Sequence, residues 1–262
     1  MAETDDILVD QDDAGIVVVT LNRPAKRNAI SFAMWRRLGE LFIDFARRPE
    51  LRVVILTGTG RHFSAGADIS EFPAMRSNPE AAQRYSEAGN IATLAIRDLP
   101  QPTIAAAHGY CVGGGCGLAL TCDLRVGDAT TEMGIPAAKR GIVYDVLDTE
   151  NLLRTVGLPA AKLVLYSGDI FPMPRCREMG LLDVVSEQGA LAGALALARR
   201  LTECAPLSQR GSKLVLEAIA RGETATRRAE IVAAQELAAR SEDYREATQS
   251  FLEKRRPVFR GR

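Results

Sequence analysis

A glycine-rich segment, TIAAAHGYCVGGGCGLALTCD at residues 103–123, constrains the fold of this chain more than any other feature. A short alanine-rich run leads to three adjacent glycines, Gly113, Gly114 and Gly115, and a compact apolar segment follows them. Adjacent glycines leave backbone N–H groups uncovered, and a helix that begins just after them adds the positive end of its dipole. The segment therefore predicts a strand, a turn and a helix whose main-chain donors can hold negative charge.

A second turn of small residues, SAGADI at residues 64–69, follows another strand-like run at residues 53–57. Tight packing explains either turn equally well when each is taken alone. Together, the two turns can each direct one N–H group at the same carbonyl oxygen, and that arrangement is an oxyanion hole. The pair therefore predicts a site for a carbonyl group that gains negative charge during a reaction.

The composition limits the class of protein. With 262 residues, the chain fits one large domain or a domain with an appendage. Its 33 basic and 33 acidic residues cancel, which argues against binding to nucleic acid or to an anionic membrane surface. No run of about 18 apolar residues occurs and the acidic N-terminus has no apolar core, so we expect neither a membrane span nor a signal peptide. A cytoplasmic location is the resulting prediction.

The cysteines and histidines do not form a metal-binding pattern. Cys111, Cys116 and Cys122 are five and six residues apart, whereas zinc sites typically pair cysteines as CxxC. Apolar residues and glycines surround these cysteines, so we predict buried, reduced thiols. His62 and His108 lie beside the two glycine-rich turns, and we interpret both as structural. The sequence therefore predicts no metal site.

Hydrophobic patterns indicate an α/β protein. We predict strands at residues 16–21, 53–56 and 103–107, a helix capped by Ser31 that ends near Arg47, and a helix opened by Asn78 and Pro79 that ends near Arg97. From Ala190 onward the pattern is helical throughout, and it ends in one long charged helix around residues 221–256. Alternating strands and helices predict an α/β core with right-handed crossovers.

Three motifs stand in order along the chain: LNRPAKRNAIS at residues 21–31, LTGTGRHFSAGADI at residues 56–69, and the triple-glycine segment. This series resembles the crotonase (enoyl-CoA hydratase/isomerase) superfamily, and the resemblance continues over residues 7–260. It implies a ββα spiral core at residues 1–195 that binds acyl-CoA. It also implies a C-terminal helical region at residues 196–262 that packs subunits into a homo-trimer or hexamer. Coenzyme A is part of the substrate in this family, so no separate cofactor is implied.

The resemblance assigns roles to individual residues. The N–H groups of Ala67 and Gly114 would form the oxyanion hole for a thioester carbonyl. A thioester acidifies its α-carbon, and the enolate that forms carries its charge on the oxygen that these donors can hold. The implied substrate contacts are Ala65, Asp68, Ile69 and Ser70 along the path of pantetheine and adenine, Tyr144, and Lys254 at the CoA phosphate of its own or a neighbouring subunit. Lys254 is equally well explained as a solvated charge on a helix.

Two residues depart from the family pattern. The hydratases of the family carry one glutamate after the triple-glycine segment and another in a PE pair further along the chain. The matching residues here are Gly117 and Ala137. Hydration of a double bond needs a base that activates water and an acid that protonates the α-carbon. Gly117 and Ala137 can do neither, so the usual two-glutamate mechanism is not available.

Asp145 is the remaining acid at a family acid–base position. Family isomerases place their catalytic aspartate there, and in this chain it stands twelve residues before Gly157. A double-bond shift needs one base, which removes a γ-proton and returns it to the α-carbon. The glycine-rich turn that the family has in this loop is missing, however, and Asp145 or Asp148 also suits the N-cap of the helix that leads to Arg154. The sequence leaves both roles open.

Three functions remain on these grounds. We favour enoyl-CoA double-bond isomerisation with Asp145 as the single base. The alternatives are a hydratase-like enzyme of fatty-acid or related acyl-CoA degradation with atypical acids, and a protein that binds acyl-CoA without catalysis. A nucleophilic role of Asp145, as in the family's dehalogenases, is disfavoured because Asn90 stands where the activating histidine would be. The loop at residues 71–87 would shape the acyl pocket, and its sequence does not identify the acyl group.

Overall fold

The computed structural model describes residues 5–75 and 77–262. The strands are β1 (Ile7–Gln11), β2 (Ile16–Leu21), β3 (Val53–Gly58), β4 (Thr103–Ala107), β5 (Tyr110–Val112), β6 (Leu124–Gly127), β7 (Glu132–Gly134), β8 (Ile170–Pro172) and β9 (Val184–Val185). The helices are α1 (Phe32–Phe45), α2 (Phe72–Met75), α3 (Pro79–Arg97), α4 (Gly114–Thr121), α5 (Val146–Ser167), α6 (Met173–Glu178), α7 (Ala190–Thr202), α8 (Pro206–Ala220), α9 (Arg228–Arg240) and α10 (Glu242–Glu253). Within the described ranges, no helix is both long and apolar enough to cross a bilayer.

A mostly parallel sheet forms the centre of the fold, in the strand order β1-β2-β3-β4-β6-β9. β1 is antiparallel to β2, and each later pair of neighbours in this sheet is parallel. A smaller sheet has the order β5-β7-β8. Every residue of β3 is buried, as expected for a parallel sheet with both faces covered. The α/β fold that the sequence predicts is therefore confirmed.

Alternate residues of the strands supply two separate apolar cores. Val19 of β2 lies in the larger core together with the buried faces of α1 and α3. Ile16 of the same strand lies in the smaller core, where it is joined by Ala190, Ala194 and Ala198 of α7. These alanines recur every four residues, so they share one helix face and let α7 lie close to the sheet. The domain boundary predicted after residue 195 falls within this helix.

The starts of α1 and α3 agree with the sequence prediction. The Ser31 hydroxyl accepts a hydrogen bond from the Met34 N–H at 3.2 Å, and the Asn78 side-chain oxygen accepts one from the Ala81 N–H at 2.8 Å. Both caps satisfy a first-turn donor that would otherwise lack an acceptor. α1 ends at Phe45, slightly before the predicted end.

The prediction of one long charged helix near the C-terminus is wrong. The structure divides that segment into α9 and α10 at Ser241, whose backbone is extended with φ −67° and ψ 158°. The Ser241 hydroxyl accepts a hydrogen bond from the Tyr244 N–H at 3.0 Å and so caps α10. The prediction failed because charged residues continue through the break, and because a single serine is compatible with a helix interior as well as with a cap.

Most of the cysteines are buried, and both histidine rings contact the backbone. Four cysteines are buried free thiols, as predicted, but Cys204 is exposed because it lies in the turn between α7 and α8. His62 Nδ1 accepts the Tyr110 N–H at 3.1 Å, and His108 Nε2 lies 3.2 Å from the Gly60 oxygen. These backbone contacts confirm the structural interpretation of both histidines.

Candidate active site

Two single-residue backbone bridges hold the first glycine-rich turn in place, one to the second turn and one to the segment before α1. Ser64 pairs with Cys111 and Ile30 pairs with Ala67, each in parallel orientation. The Ser64 carbonyl accepts a hydrogen bond from the Val112 N–H at 3.0 Å. The turn that follows β3 and the turn that precedes α4 are therefore fixed to each other, although they are distant in sequence.

Two glycines with positive φ make this close approach possible. Gly66 has φ 94° and Gly113 has φ 57°, and residues that carry a Cβ rarely adopt such angles. A Cβ at Gly66 would also lie 2.7 Å from the Val112 oxygen and 3.0 Å from the Gly114 nitrogen. A side chain at position 66 would therefore push the two turns apart.

The N–H groups of Ala67 and Gly114 have no hydrogen-bond partner among residues 5–75 and 77–262. Ile30 bonds to both neighbours of Ala67, since it donates to the Gly66 oxygen at 2.8 Å and accepts the Asp68 N–H at 2.9 Å. The Ala67 N–H consequently points away from Ile30. Gly114 begins α4, where first-turn N–H groups have no acceptor within the helix. An ideal Cβ on Gly114 would lie 3.4 Å from the Ala67 nitrogen, so the two donors are close together.

Both donors border a cavity of about 210 Å³. Its wall is largely apolar and includes Trp35, Ile69, Phe72, Tyr85, Val112, Ile135 and Ile142. The polar side chains at the wall are Ser86, Asn90, Thr93, Arg140, Tyr144, Asp145 and Asp148. Because apolar surroundings strengthen electrostatic interactions relative to water, two N–H groups here can hold a negatively charged substrate oxygen firmly.

Gly117 and Ala137, which the resemblance matched to the glutamates of the family's hydratases, supply no acid. Ala137 lines the cavity with a methyl group only. Gly117 is buried in α4, and an ideal Cβ on it would lie 3.3 Å from Asp148 Oδ2. The carboxylate beside position 117 therefore belongs to α5.

Asp145 is the N-cap of α5. Its backbone is extended, with φ −69° and ψ 168°, and its Oδ1 accepts a hydrogen bond from the Asp148 N–H at 2.9 Å. Its side chain lines the cavity, and the residue is exposed to solvent. The capping role that the sequence left open is confirmed, whereas a role as base stays a prediction.

Asp148 lies one turn further into α5 and has a different environment. Burial raises the pKa of its carboxyl group to about 7, and the nearby charge of Asp145 adds to this effect. Within the described residues, its carboxylate takes part in no hydrogen bond or ion pair. The sequence suggested Asp148 only as a helix cap. Two features of the sequence could have pointed to Asp148 as a cavity residue. It stands three residues after the true cap, which turns position 148 toward α4, and Gly117 on α4 has no side chain.

Tyr144 completes this part of the wall. Burial raises the pKa of its hydroxyl group, and the charge of Asp148 raises it further. The phenol is therefore protonated near neutral pH and can donate a hydrogen bond. Its predicted contact with substrate remains untested, but it faces the cavity as that prediction requires.

The residues predicted for the CoA path divide into two groups. Ala65 and Ile69 line the cavity. Asp68 and Ser70 lie outside the cavity wall, and the Ser70 hydroxyl donates to Asp68 Oδ1 at 2.6 Å. Lys254 also lies outside the wall, at the exposed end of α10. Contacts of these last three residues with CoA stay predictions.

Asp68 anchors the first turn through two cations. Its carboxylate lies 3.0 Å from Arg23 Nη1 and 2.9 Å from Lys26 Nζ. Burial alone would raise the pKa of Asp68, but the hydrogen bonds from Ser70, Lys26 and Arg23 hold it well below its ordinary value. Since Asp68 directly follows Ala67, these contacts also fix the backbone that carries the first donor.

Replacing Asp68 with asparagine should lower the free energy of unfolding by about 1–3 kcal/mol at neutral pH, because Arg23 and Lys26 lose their shared carboxylate. The lowered pKa means that this stabilisation is complete above the ordinary aspartate pKa and is lost as the pH falls below it. Urea unfolding at neutral and strongly acidic pH measures both effects.

The matched control is Asp169→Asn, which removes an exposed ion pair with Lys139. Exposed pairs contribute little, so this variant should lose much less stability at neutral pH. Equal losses of stability in the two variants would show that the contacts of Asp68 contribute no more to the free energy of unfolding than an exposed ion pair does.

Comparisons with known proteins identify the family of the chain. The sequence profile of the family described as Enoyl-CoA hydratase/isomerase matches residues 11–262. The chain is 31% identical over 251 residues to the 2,3-dehydroadipyl-CoA hydratase of Escherichia coli (strain K12), covering 94% of this chain and 96% of that protein. It is 30% identical over 246 residues to the Short-chain-enoyl-CoA hydratase of Clostridium acetobutylicum, covering 92% of each chain.

A solved structure gives the same result at the level of the fold. The enoyl-CoA hydratase/carnithine racemase from Magnetospirillum magneticum matches with a TM-score of 0.92 and 33% sequence identity. The match covers 99% of this chain and 97% of that one. A shared sequence profile, full-length relatives and a common fold lead to one conclusion: the chain belongs to the crotonase (enoyl-CoA hydratase/isomerase) superfamily.

Proposed function

We propose that this chain catalyses double-bond isomerisation of an enoyl-CoA thioester, with the N–H groups of Ala67 and Gly114 as the oxyanion hole and one aspartate as the base. The observation that carries the proposal is the pair of N–H groups at the cavity wall that have no hydrogen-bond partner in the described part of the chain. Among the described residues, the carboxyl groups at that wall are Asp145 and Asp148, on neighbouring turns at the start of α5. The two N–H groups can therefore hold negative charge on one side of the cavity while a carboxyl group on another side moves a proton.

The reaction needs only these two elements. From a 3-enoyl thioester, a carboxylate takes a proton from C2, and the electron pair of that C–H bond moves into a dienolate whose charge rests on the thioester oxygen. The two N–H groups hold this oxygen. The protonated carboxyl group then gives the same proton to C4, which leaves the double bond between C2 and C3. In the opposite direction the base removes the γ-proton and returns it to the α-carbon.

Hydration of crotonyl-CoA should be much slower than isomerisation of a 3-enoyl-CoA. An acid or base group contributes about 10²- to 10⁴-fold to a rate, and Gly117 and Ala137 provide neither of the groups that position and activate water. Steady-state assays of the purified protein with both substrates measure the ratio. Hydration as fast as isomerisation would contradict the proposal and favour a hydratase with atypical acids.

The hydratase alternative draws support from relatives that are named hydratases. The third alternative, a protein that only binds acyl-CoA, draws support from the absence of both family glutamates. Calorimetry with acetoacetyl-CoA separates this last case: binding without turnover of either enoyl substrate would favour it. No binding of any CoA thioester would contradict all three functions.

We also propose that subunits assemble as a trimer or hexamer through the C-terminal helices. The supporting feature is a set of exposed large apolar side chains on α8, α9 and α10, among them Leu216, Leu237, Phe251 and Leu252. Sedimentation velocity at micromolar concentration should give a mass of three or six chains. A monomeric mass would contradict the assembly.

A further inference from the structure

We infer that Asp148, and not Asp145, is the catalytic acid–base residue, and that α5 brings its carboxylate to the space that Gly117 leaves open on α4. This inference rests on the proposed function, because the isomerisation supplies the proton that Asp148 would move. It changes the proposed mechanism in one respect. The carboxyl group that moves the proton stands at a helix position that neither the hydratase pattern nor the isomerase pattern of the family uses.

The contact between α4 and α5 carries the inference. A Cβ built on Gly117 would lie 3.3 Å from Asp148 Oδ2 and 3.4 Å from both Asp148 Cγ and Oδ1. The whole carboxylate therefore faces the point at which a side chain at position 117 would start. In the hydratases of the family, that side chain is a glutamate. Here a carboxylate arrives at nearly the same place from the opposite helix.

Asp145 is less suited to the role. Its Oδ1 already accepts the Asp148 N–H at 2.9 Å, and the residue is exposed. That oxygen already serves to fix the first turn of α5. Asp148 has no such bond among the described residues and lines the same cavity as the two N–H donors.

The electrostatic surroundings of Asp148 suit proton transfer. The charge of Asp145 acts on Asp148 directly, Asp148 in turn acts on Tyr144 together with Cys116 of α4 and Cys111 of β5, and Arg140 lies at the same cavity wall. Burial raises the pKa of Asp148 to about 7, with a further contribution from Asp145. A base with a pKa near the working pH is partly ionised and still strong enough to take a proton.

Each catalytic step can be assigned to this residue. The ionised Asp148 carboxylate accepts the proton from C2, and the electron pair moves to the thioester oxygen held by Ala67 and Gly114. The neutral Asp148 carboxyl group then donates that proton to C4, the electron pair returns from the oxygen, and the carboxylate is regenerated. No other reactant is needed, so one carboxyl group completes the cycle.

Paired asparagine variants test the assignment. Asp148→Asn should lower kcat/KM for 3-enoyl-CoA isomerisation by about 10²- to 10⁴-fold, since asparagine cannot accept the proton. Asp145→Asn should cause a much smaller loss, because asparagine caps a helix about as well as aspartate. In the wild type, kcat/KM should rise with pH through about 7, and Asp145→Asn should move this midpoint to lower pH by removing a like charge.

A stability measurement tests whether burial raises the pKa of the Asp148 carboxyl group, and it does not rely on catalysis. A carboxyl group whose pKa is raised by folding destabilises the folded state as the pH rises from the ordinary aspartate range to about 7. The melting temperature of Asp148→Asn relative to wild type should therefore increase over this pH interval. A difference that does not depend on pH would show that the Asp148 carboxyl group ionises as it does in water and would overturn the inference.

Deuterium exchange at C2 of butyryl-CoA in D₂O separates the inference from the proposed function, because this reaction needs only a base and the oxyanion hole. If wild type exchanges C2 protons in an Asp148-dependent way but does not isomerise, the isomerisation is wrong and the inference holds. If wild type isomerises and Asp148→Asn keeps its rate, or if Asp145→Asn loses as much, the inference is overturned. If wild type does neither reaction, both are overturned.

Discussion

Replacing Gly114 with proline should lower kcat for 3-enoyl-CoA isomerisation by about 10²- to 10³-fold, the usual cost of removing one oxyanion-hole donor. Proline has no N–H group, so the substitution removes the donor itself. Gly114 is the first residue of α4, the helical position at which proline is best tolerated. The loss should therefore come from the chemical step, with little change in the folded structure, and steady-state kinetics with circular dichroism would measure both.

Gly114→Ala is the matched control for this experiment. Its Cβ would lie at ordinary contact distances, 3.4 Å from the Ala67 nitrogen and 3.5 Å from Trp35 Cζ2, and the N–H group is kept. Most of the activity should remain in this variant. If alanine and proline reduce kcat equally, the effect is steric, and the N–H of Gly114 does not stabilise the transition state.

Restoring the two family glutamates should produce hydratase activity only when Asp148 is also removed. A glutamate at position 117 would start 3.3 Å from the Asp148 carboxylate, so both its volume and its charge conflict with that residue. Two carboxyl groups this close in a dry site share one proton, and neither titrates normally. The double variant Gly117→Glu with Ala137→Glu should therefore hydrate crotonyl-CoA hardly better than wild type.

Adding Asp148→Gly to that double variant should relieve the conflict. With a base and an acid in place, the hydration rate should rise by about 10²-fold or more over the double variant. Crotonyl-CoA absorbance assays on both variants, with melting curves to confirm folding, give the comparison. Equal hydration rates in the double and triple variants would show that Asp148 does not occupy the space beside position 117.

Local patterns in the sequence predicted the framework of this fold well. Continuous apolar runs identified β2, β3 and β4, and the hydroxyl of Ser31 and the amide of Asn78 identified two helix starts. Each of these features depends on residues a few positions apart. The break at Ser241 was missed because the charge pattern continues through it, and only the cap contact with Tyr244 distinguishes a new helix from a longer one.

Of the candidate site, the sequence indicated the N–H donors but not the position of the carboxylate. The two glycine-rich turns are visible in the sequence, and the resemblance to the family singled out Ala67 and Gly114 within them as the predicted donors. The role of Asp148 depends on how α5 packs against α4, and a position 31 residues away in sequence, Gly117, decides how deeply its carboxylate is buried. The sequence alone indicated two candidate caps at positions 145 and 148 and could not show which of them caps α5 and which lies against α4.

The N–H groups of Ala67 and Gly114, which have no partner within the described ranges, have a consequence for how an enzyme with such a site can change its reaction. Every substitution except proline keeps a backbone N–H, so a donor that can hold an enolate oxygen persists through most mutations. The acids and bases are side chains, and a single codon change can delete one or introduce another on a facing helix. Stabilisation of the intermediate and movement of the proton are therefore separable traits. A chain that lacks one pair of acids could therefore perform a different reaction with a single carboxylate at another position.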